Sequence, residues 1–341
     1  MTDRQNNYDL LRIISMFLVI ILHLNAHYMN ADGTNEITAN IESFINVLTR
    51  VSVPCFVMLS GAFVLNKEKN KNFKTFYAHV LCKIVLPFII VSAVLLLFSF
   101  AKAIISHGDI FAPLKALVIG DYYNLWYMFM LIGLYIFVPV IILVKERISN
   151  RDFNIIAFVW LAFAVLFQSF STYLISYSFG IVFAYMGYFL VGNVLYNQIK
   201  KDRNGWIYII VSIILLCTAT LLRQVLNISI YVASPYVSFF SPLVTISSIL
   251  FFIGFSKMRI SISFGKLPIY TFYIYLFHTA VYEMILMIIK DIIFVNPLIN
   301  IFVVSFGTFI VSLLLSVVFS KLQKTVYKIT NLETKVNRIL S

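Results

Sequence analysis

The chain is built from apolar stretches of about 20 residues separated by short charged connectors, and each stretch can cross roughly 30 Å of hydrocarbon as an α-helix. They lie near 8–29, 43–65, 84–105, 124–144, 153–172, 178–196, 206–226, 237–255, 267–289 and 298–319. Backbone in lipid must satisfy its own N–H and C=O groups, which closed helical bundles do. The expectation is therefore an all-α polytopic membrane protein with about ten transmembrane helices, residues 1–320 forming one transmembrane domain and 321–341 a short basic tail. With 61% hydrophobic and 12% charged residues in 341, no large extramembrane domain fits; soluble domains are nearer one quarter charged. The first stretch carries Arg12 inside it and has no small-residue cleavage pattern before Asp32, so it reads as a permanent helix and not a signal peptide.

The net charge of +12 raises nucleic acid as a partner. The basic residues are instead scattered through alternate connectors, the pattern of topology determinants. With ten spans, one set of connectors holds 21 of the 26 Lys and Arg residues; the other holds Arg50, Lys102, Lys115, Arg223 and Lys290. Positive connectors stay in the cytoplasm, so both termini are expected there, in a multi-pass protein of the cell membrane. Cys55, Cys82 and Cys217 lie in or beside apolar runs with no CxxC pair and read as small hydrophobes.

An ionisable side chain in hydrocarbon costs a few kcal/mol or more, so such residues are functional candidates. Arg12 and His23 share the first stretch. Eleven residues at about 100° each make three turns plus about 20°, placing both on one helix face about 16 Å apart. Arg12 also fits a snorkelling anchor, and His23 an interhelical hydrogen bond. His27 follows His23 at i+4, but no acidic or Cys ligand stands beside the pair, so no metal site is expected. Arg50 opens RVSVPCFVMLSGAF, where Pro54 and Ser60-Gly61 point to an irregular or closely packed helix. Trp126 and Tyr127 fit a site and an interfacial aromatic belt equally. His278 sits mid-span, with Glu283 five residues on as a partner for a buried cation or a contact at the outer rim.

Arg12 followed after ten residues by His23, on the first of about ten helices, resembles acyltransferase family 3, the bacterial integral-membrane O-acyltransferases. VPCFVMLSGAFVL at 53–65, LWYMFMLIGLYIFVPVI at 125–141, FAYMGYFLVGNVL at 183–195 and YIYLFHTAV at 273–281 look like further stretches of that family in order. One departure is the segment before Pro87, where members carry an Arg pair and this chain has His79 and Lys83; Lys83 would substitute as a point charge. The esterase-like domain appended in some members is not expected here.

The resemblance implies transfer of an acyl group, acetyl being the commonest, from cytoplasmic acyl-CoA to a hydroxyl of a cell-surface polysaccharide or its lipid-linked precursor. No permanently bound cofactor is implied; acetyl-CoA is the donor substrate. Arg12 and Lys83 would hold coenzyme A phosphates, and neutral His23 would act as general base, with an acyl-His intermediate left open. Arg50, Trp126, Tyr127, His278 and Glu283 would orient His23, stabilise the oxyanion or meet the acceptor. Partners would be acyl-CoA, the glycan acceptor and the bilayer, without nucleic acid; a homo-oligomer stays open. Two rivals remain. A proton-coupled permease or glycan flippase also uses buried Arg, His and Glu, and an unrelated membrane acyltransferase with a lone His would depend on His278.

Overall fold

The computed structural model describes residues 5–29, 36–105, 109, 111–119, 122–170, 179–199, 204–226, 238–289, 297–330 and 336. Its regular elements are all helical: α1 (Asn6–Met29), α2 (Glu36–Thr49), α3 (Ser52–Val64), α4 (Phe73–Val80), a π-helical turn (Leu81–Val85), α5 (Leu86–Ile105), α6 (Ala112–Ile119), α7 (Trp126–Ile136), α8 (Val138–Arg147), α9 (Asn150–Phe170), α10 (Phe179–Gln198), α11 (Gly205–Val225), α12 (Pro242–Lys257), α13 (Leu267–Ile288) and α14 (Pro297–Thr330). Among the described residues, eight segments are long and apolar enough to cross a membrane, a bent pair would make a ninth, and α12 is a shorter apolar helix. About ten spans therefore stands.

The outer surface is what a bilayer selects. Leu97 is 68% exposed, Phe163 64%, Leu314 62% and Phe302 52%, a distribution that water would penalise and lipid does not. Lipid supplies no hydrophobic force between helices, so association rests on close packing. The α3–α10 seam shows this most directly. A Cβ on Gly61 would stand 1.8 Å from the Phe189 carbonyl oxygen, and one on Gly192 2.1 Å from that of Met58. Both positions need glycine because backbone meets backbone there.

Several spans depart from the expected boundaries. Residues 36–42, expected as part of an outer connector, are helical and belong to α2, because Ile37, Ile41 and Ile45 continue the helical apolar period. The expected single helix at 124–144 is two helices, α7 and α8, with Pro139 at the start of α8, where a missing N–H costs nothing. Ahead of it, the segment 112–124 meets α7 at 92°, and the bend is taken up by Tyr123 (φ 47°) and Asn124 (φ 55°) in left-handed conformation. The stretch at 84–105 is the far part of a helical run from Phe73 to Ile105. The last helix continues to Thr330, and the end of the basic tail lies outside the described residues, as do Asp32, Asp121, Lys290 and Asp291.

Candidate active site

The first turn of α1 is tied to the C-terminal turn of α12, where helix carbonyls run out of intrahelical donors, and to the segment just after it. Asn7 Nδ2 donates to Phe255 O at 3.0 Å and Ser256 O at 3.1 Å, and Asn6 Nδ2 to Ile260 O at 3.1 Å. Arg12, a turn further on, has Nη1 3.6 Å from Asp9 Oδ1 and its guanidinium 5.4 Å from the Phe63 ring centre. It lines a cavity of about 390 Å³ whose wall also holds Ser60, Lys83, Tyr127, Tyr135 and Tyr275. The cavity is mostly apolar, with basic groups brought in by α1 and the π-helical turn. Lys67, just past α3, is close enough to feel Arg12. Partial desolvation, then the like charges of Lys69 and Arg12, hold its ammonium below the usual lysine range.

His23 is not among the residues lining this cavity, which on α1 reaches Val19, one turn short. The cavity that Arg12 lines therefore stops one turn of α1 short of His23, although both residues share a helix face. His23 instead packs on His278, ring centres 5.3 Å apart and planes at 39°. His278 is fully buried, with Nδ1 2.6 Å from the Tyr275 carbonyl oxygen. A carbonyl only accepts, so Nδ1 carries the proton and Nε2 of the neutral ring accepts from the Thr279 hydroxyl at 3.2 Å. Tyr275 in turn lines the cavity, packs on Tyr127 at 5.1 Å and donates its hydroxyl to Asn124 O at 2.5 Å. A continuous row, His23 to His278 to Tyr275 to Tyr127, therefore links the histidines to the cavity wall.

Arg50 lies in the turn between α2 and α3. Its Nε and Nη2 donate to Asn46 Oδ1 at 3.1 and 3.0 Å, and its guanidinium covers the Phe239 ring at 5.1 Å. It is within electrostatic reach of His23 and Tyr185. Trp126 faces the same group, its ring 6.0 Å from Tyr185 and 6.3 Å from Phe239, and Tyr127 is only 8% exposed. Both residues turn inward, where an interfacial belt would turn them to lipid.

Glu283 does not join the histidines. It sits beside Tyr122 and Tyr123 at the α6–α7 bend. His27 and His79 are exposed on α1 and α4, and no group of three His, Cys, Asp or Glu able to hold a metal occurs among the described residues. Sequence reasoning missed Lys67, Tyr135 and Tyr185. Tyr135 was within reach, since Tyr127, Leu131 and Tyr135 repeat every four residues and all three line the cavity. Lys67 was hidden in a run of similar lysines, and Tyr185, whose buried hydroxyl finds no partner among the described residues, stood in an apolar stretch like any other aromatic.

A family model described as an acyltransferase domain matches residues 5–317. No curated protein matches, and no solved structure matches.

Proposed function

This chain belongs to the acyltransferase family whose model spans it, and from that premise we propose that it moves an acetyl group from acetyl-CoA to a sugar hydroxyl. The acceptor is a cell-surface glycan or its lipid-linked precursor, and the protein acts in the plasma membrane with both termini in the cytoplasm. The observation that carries this reading is the cavity with Arg12 and Lys83 in its wall. It is a largely apolar cavity with cations in its wall, suited to a donor that has an uncharged thioester arm and a phosphate-bearing head.

In this reading the coenzyme A phosphates meet Arg12 and Lys83, with Lys67 beside them, and the pantetheine arm runs past Ser60 and Tyr127. The thioester must travel one further helical turn, about 6 Å beyond Val19, to meet His23. There His23 takes the proton from the acceptor hydroxyl as its oxygen attacks the thioester carbonyl carbon. The C–O bond forms, Arg50 steadies the negative oxygen, and the C–S bond breaks as the thiolate recovers the proton from His23. His278 positions His23: its own nitrogens are committed to Tyr275 O and Thr279, so it serves as a fixed wall and not as the base.

The test is release of coenzyme A thiol from acetyl-CoA by purified protein in lipid, with and without glycan acceptors. Loss of about 10²–10⁴-fold in His23→Ala, with folded protein retained, is expected, and Arg12→Ala should mainly raise the apparent KM for donor. Folded wild type that moves glycan across liposomes without consuming acetyl-CoA would sink this reading in favour of a flippase.

A further inference from the structure

The helical run from Phe73 to Ile105 is interrupted by the π-helical turn Leu81–Val85, which contains Lys83. In π register each N–H reaches back five residues, as the Leu86 N–H does to Leu81 O. The next N–H in that register would belong to residue 87, which is proline. The Cys82 carbonyl therefore loses the donor that the π register would have supplied.

Two residues near the end of α14 reach that carbonyl. Tyr327 donates its hydroxyl to Cys82 O at 2.5 Å, and Gln323 Nε2 approaches the same oxygen at 3.4 Å. The Gln323 Oε1 accepts from the Tyr273 hydroxyl at 2.6 Å, and Tyr273 lines the cavity. The Lys83 ammonium lies 5.5 Å from the Tyr327 ring centre, in cation–π range. Ala78, Cys82, Tyr327 and Val336 form a buried cluster of their own, separate from the main core.

We propose that Tyr327 and Gln323 are positioning residues for the donor: by capping the Cys82 carbonyl they hold the π-helical turn open and fix Lys83 in the cavity wall. This rests on the acyl-CoA reading above and adds a second element, α14, to the control of donor affinity. A π turn carries one residue more than the α-helix it interrupts. Its collapse to α register would swing residues on one side by about 100° relative to the other, taking Lys83 off the cavity. The hydroxyl of Tyr327 touches no reacting atom, so its loss should weaken donor binding and leave the chemical step alone.

The experiment uses the full-length protein in lipid with acetyl-CoA and, as a phosphate probe, adenosine 3′,5′-bisphosphate. Tyr327→Phe keeps the ring beneath Lys83 and removes only the hydroxyl. Expected is a rise of about 5–30-fold in both the KM for acetyl-CoA and the Ki of the bisphosphate, with kcat within twofold. The KM for S-acetylpantetheine, which lacks the nucleotide phosphates, should be unchanged. Lys83→Ala should give the same pattern, and the double variant should be no worse than Lys83→Ala alone. Gln323→Leu provides the second perturbation should Tyr327→Phe not fold, with the same split expected at smaller size. The inference is overturned if the variants lower kcat alone, shift acetyl-CoA and acetylpantetheine equally, or add fully to Lys83→Ala. Failure of wild type to consume acetyl-CoA would overturn the donor reading itself, a result separate from unaltered kinetics in an active Tyr327→Phe.

Discussion

Gly61→Ala probes the seam that sets the cavity wall. The new Cβ would stand 1.8 Å from the Phe189 carbonyl oxygen and 2.7 Å from its carbon, whereas ordinary contact begins near 3.4 Å. Because the obstacle is backbone, no rotamer change relieves it, and α3 and α10 must part locally by about 1.6 Å. A gap of 0.5–1 Å already forfeits a quarter to a half of each dispersion contact, and overpacking costs about 1–3 kcal/mol, occasionally more. We expect a loss of about 3 kcal/mol, roughly a 100-fold shift in the folding equilibrium. Two controls bracket it. At Gly133 the nearest atom is a Val182 side-chain methyl at 2.5 Å and not backbone, and at Gly265 (φ 55°) nothing stands within 4 Å, so the cost there is the left-handed strain of about 1–2 kcal/mol. Thermal unfolding in lipid nanodiscs, read by tryptophan fluorescence, ranks the three. Since α3 also supplies Phe56, Leu59, Ser60 and Phe63 to the cavity, folded Gly61→Ala should show a raised donor KM. A Gly61→Ala midpoint no lower than that of Gly133→Ala would refute the backbone-contact reasoning.

Three further outcomes are expected. Lys67 sits below the usual lysine range through partial desolvation and the charges of Lys69 and Arg12, so an arriving phosphate should raise it again; at alkaline pH donor binding should take up a proton. Calorimetry in buffers of different ionisation enthalpy reads this, and proton release would have the sign wrong. Tyr275→Phe removes the hydrogen bond to Asn124 O and should cost about 1 kcal/mol while loosening the bend before Tyr127, seen as faster hydrogen exchange over 122–127. Glu283→Gln, beside Tyr122 and Tyr123 and away from the histidines, should leave kcat/KM within about threefold. A drop comparable to that of His23→Ala would return Glu283 to the chemistry.

The approximate number of spans and the ionisable residues within them were legible because hydrocarbon imposes a length and penalises charge, both visible in one dimension. Arg12 and His23 could be placed on one face of α1 from spacing alone. That His23 stands a turn beyond the cavity depends on which neighbours fill the space, which spacing does not encode. The α6–α7 bend was missed because its left-handed residues are Tyr123 and Asn124, neither of them a glycine. Glu283 was open between a buried cation and a contact at the outer rim; five residues turn it about 140° from His278 around α13, and it lies beside the bend tyrosines. The π turn lay hidden where a charged connector gives way to an apolar stretch, around Lys83, and its one clue, Pro87, equally suits an ordinary kink.

The ties between the start of α1 and the end of α12 join residues 248, 249 and 254 positions apart. At translation speeds of about 5–20 residues per second, roughly 12–50 s pass between synthesis of Asn7 and of its partners. During that interval the helix bearing Arg12 and His23 is already made while its footing is not. The polar first span must wait in the membrane, or with a chaperone, until the twelfth helix arrives to seat it.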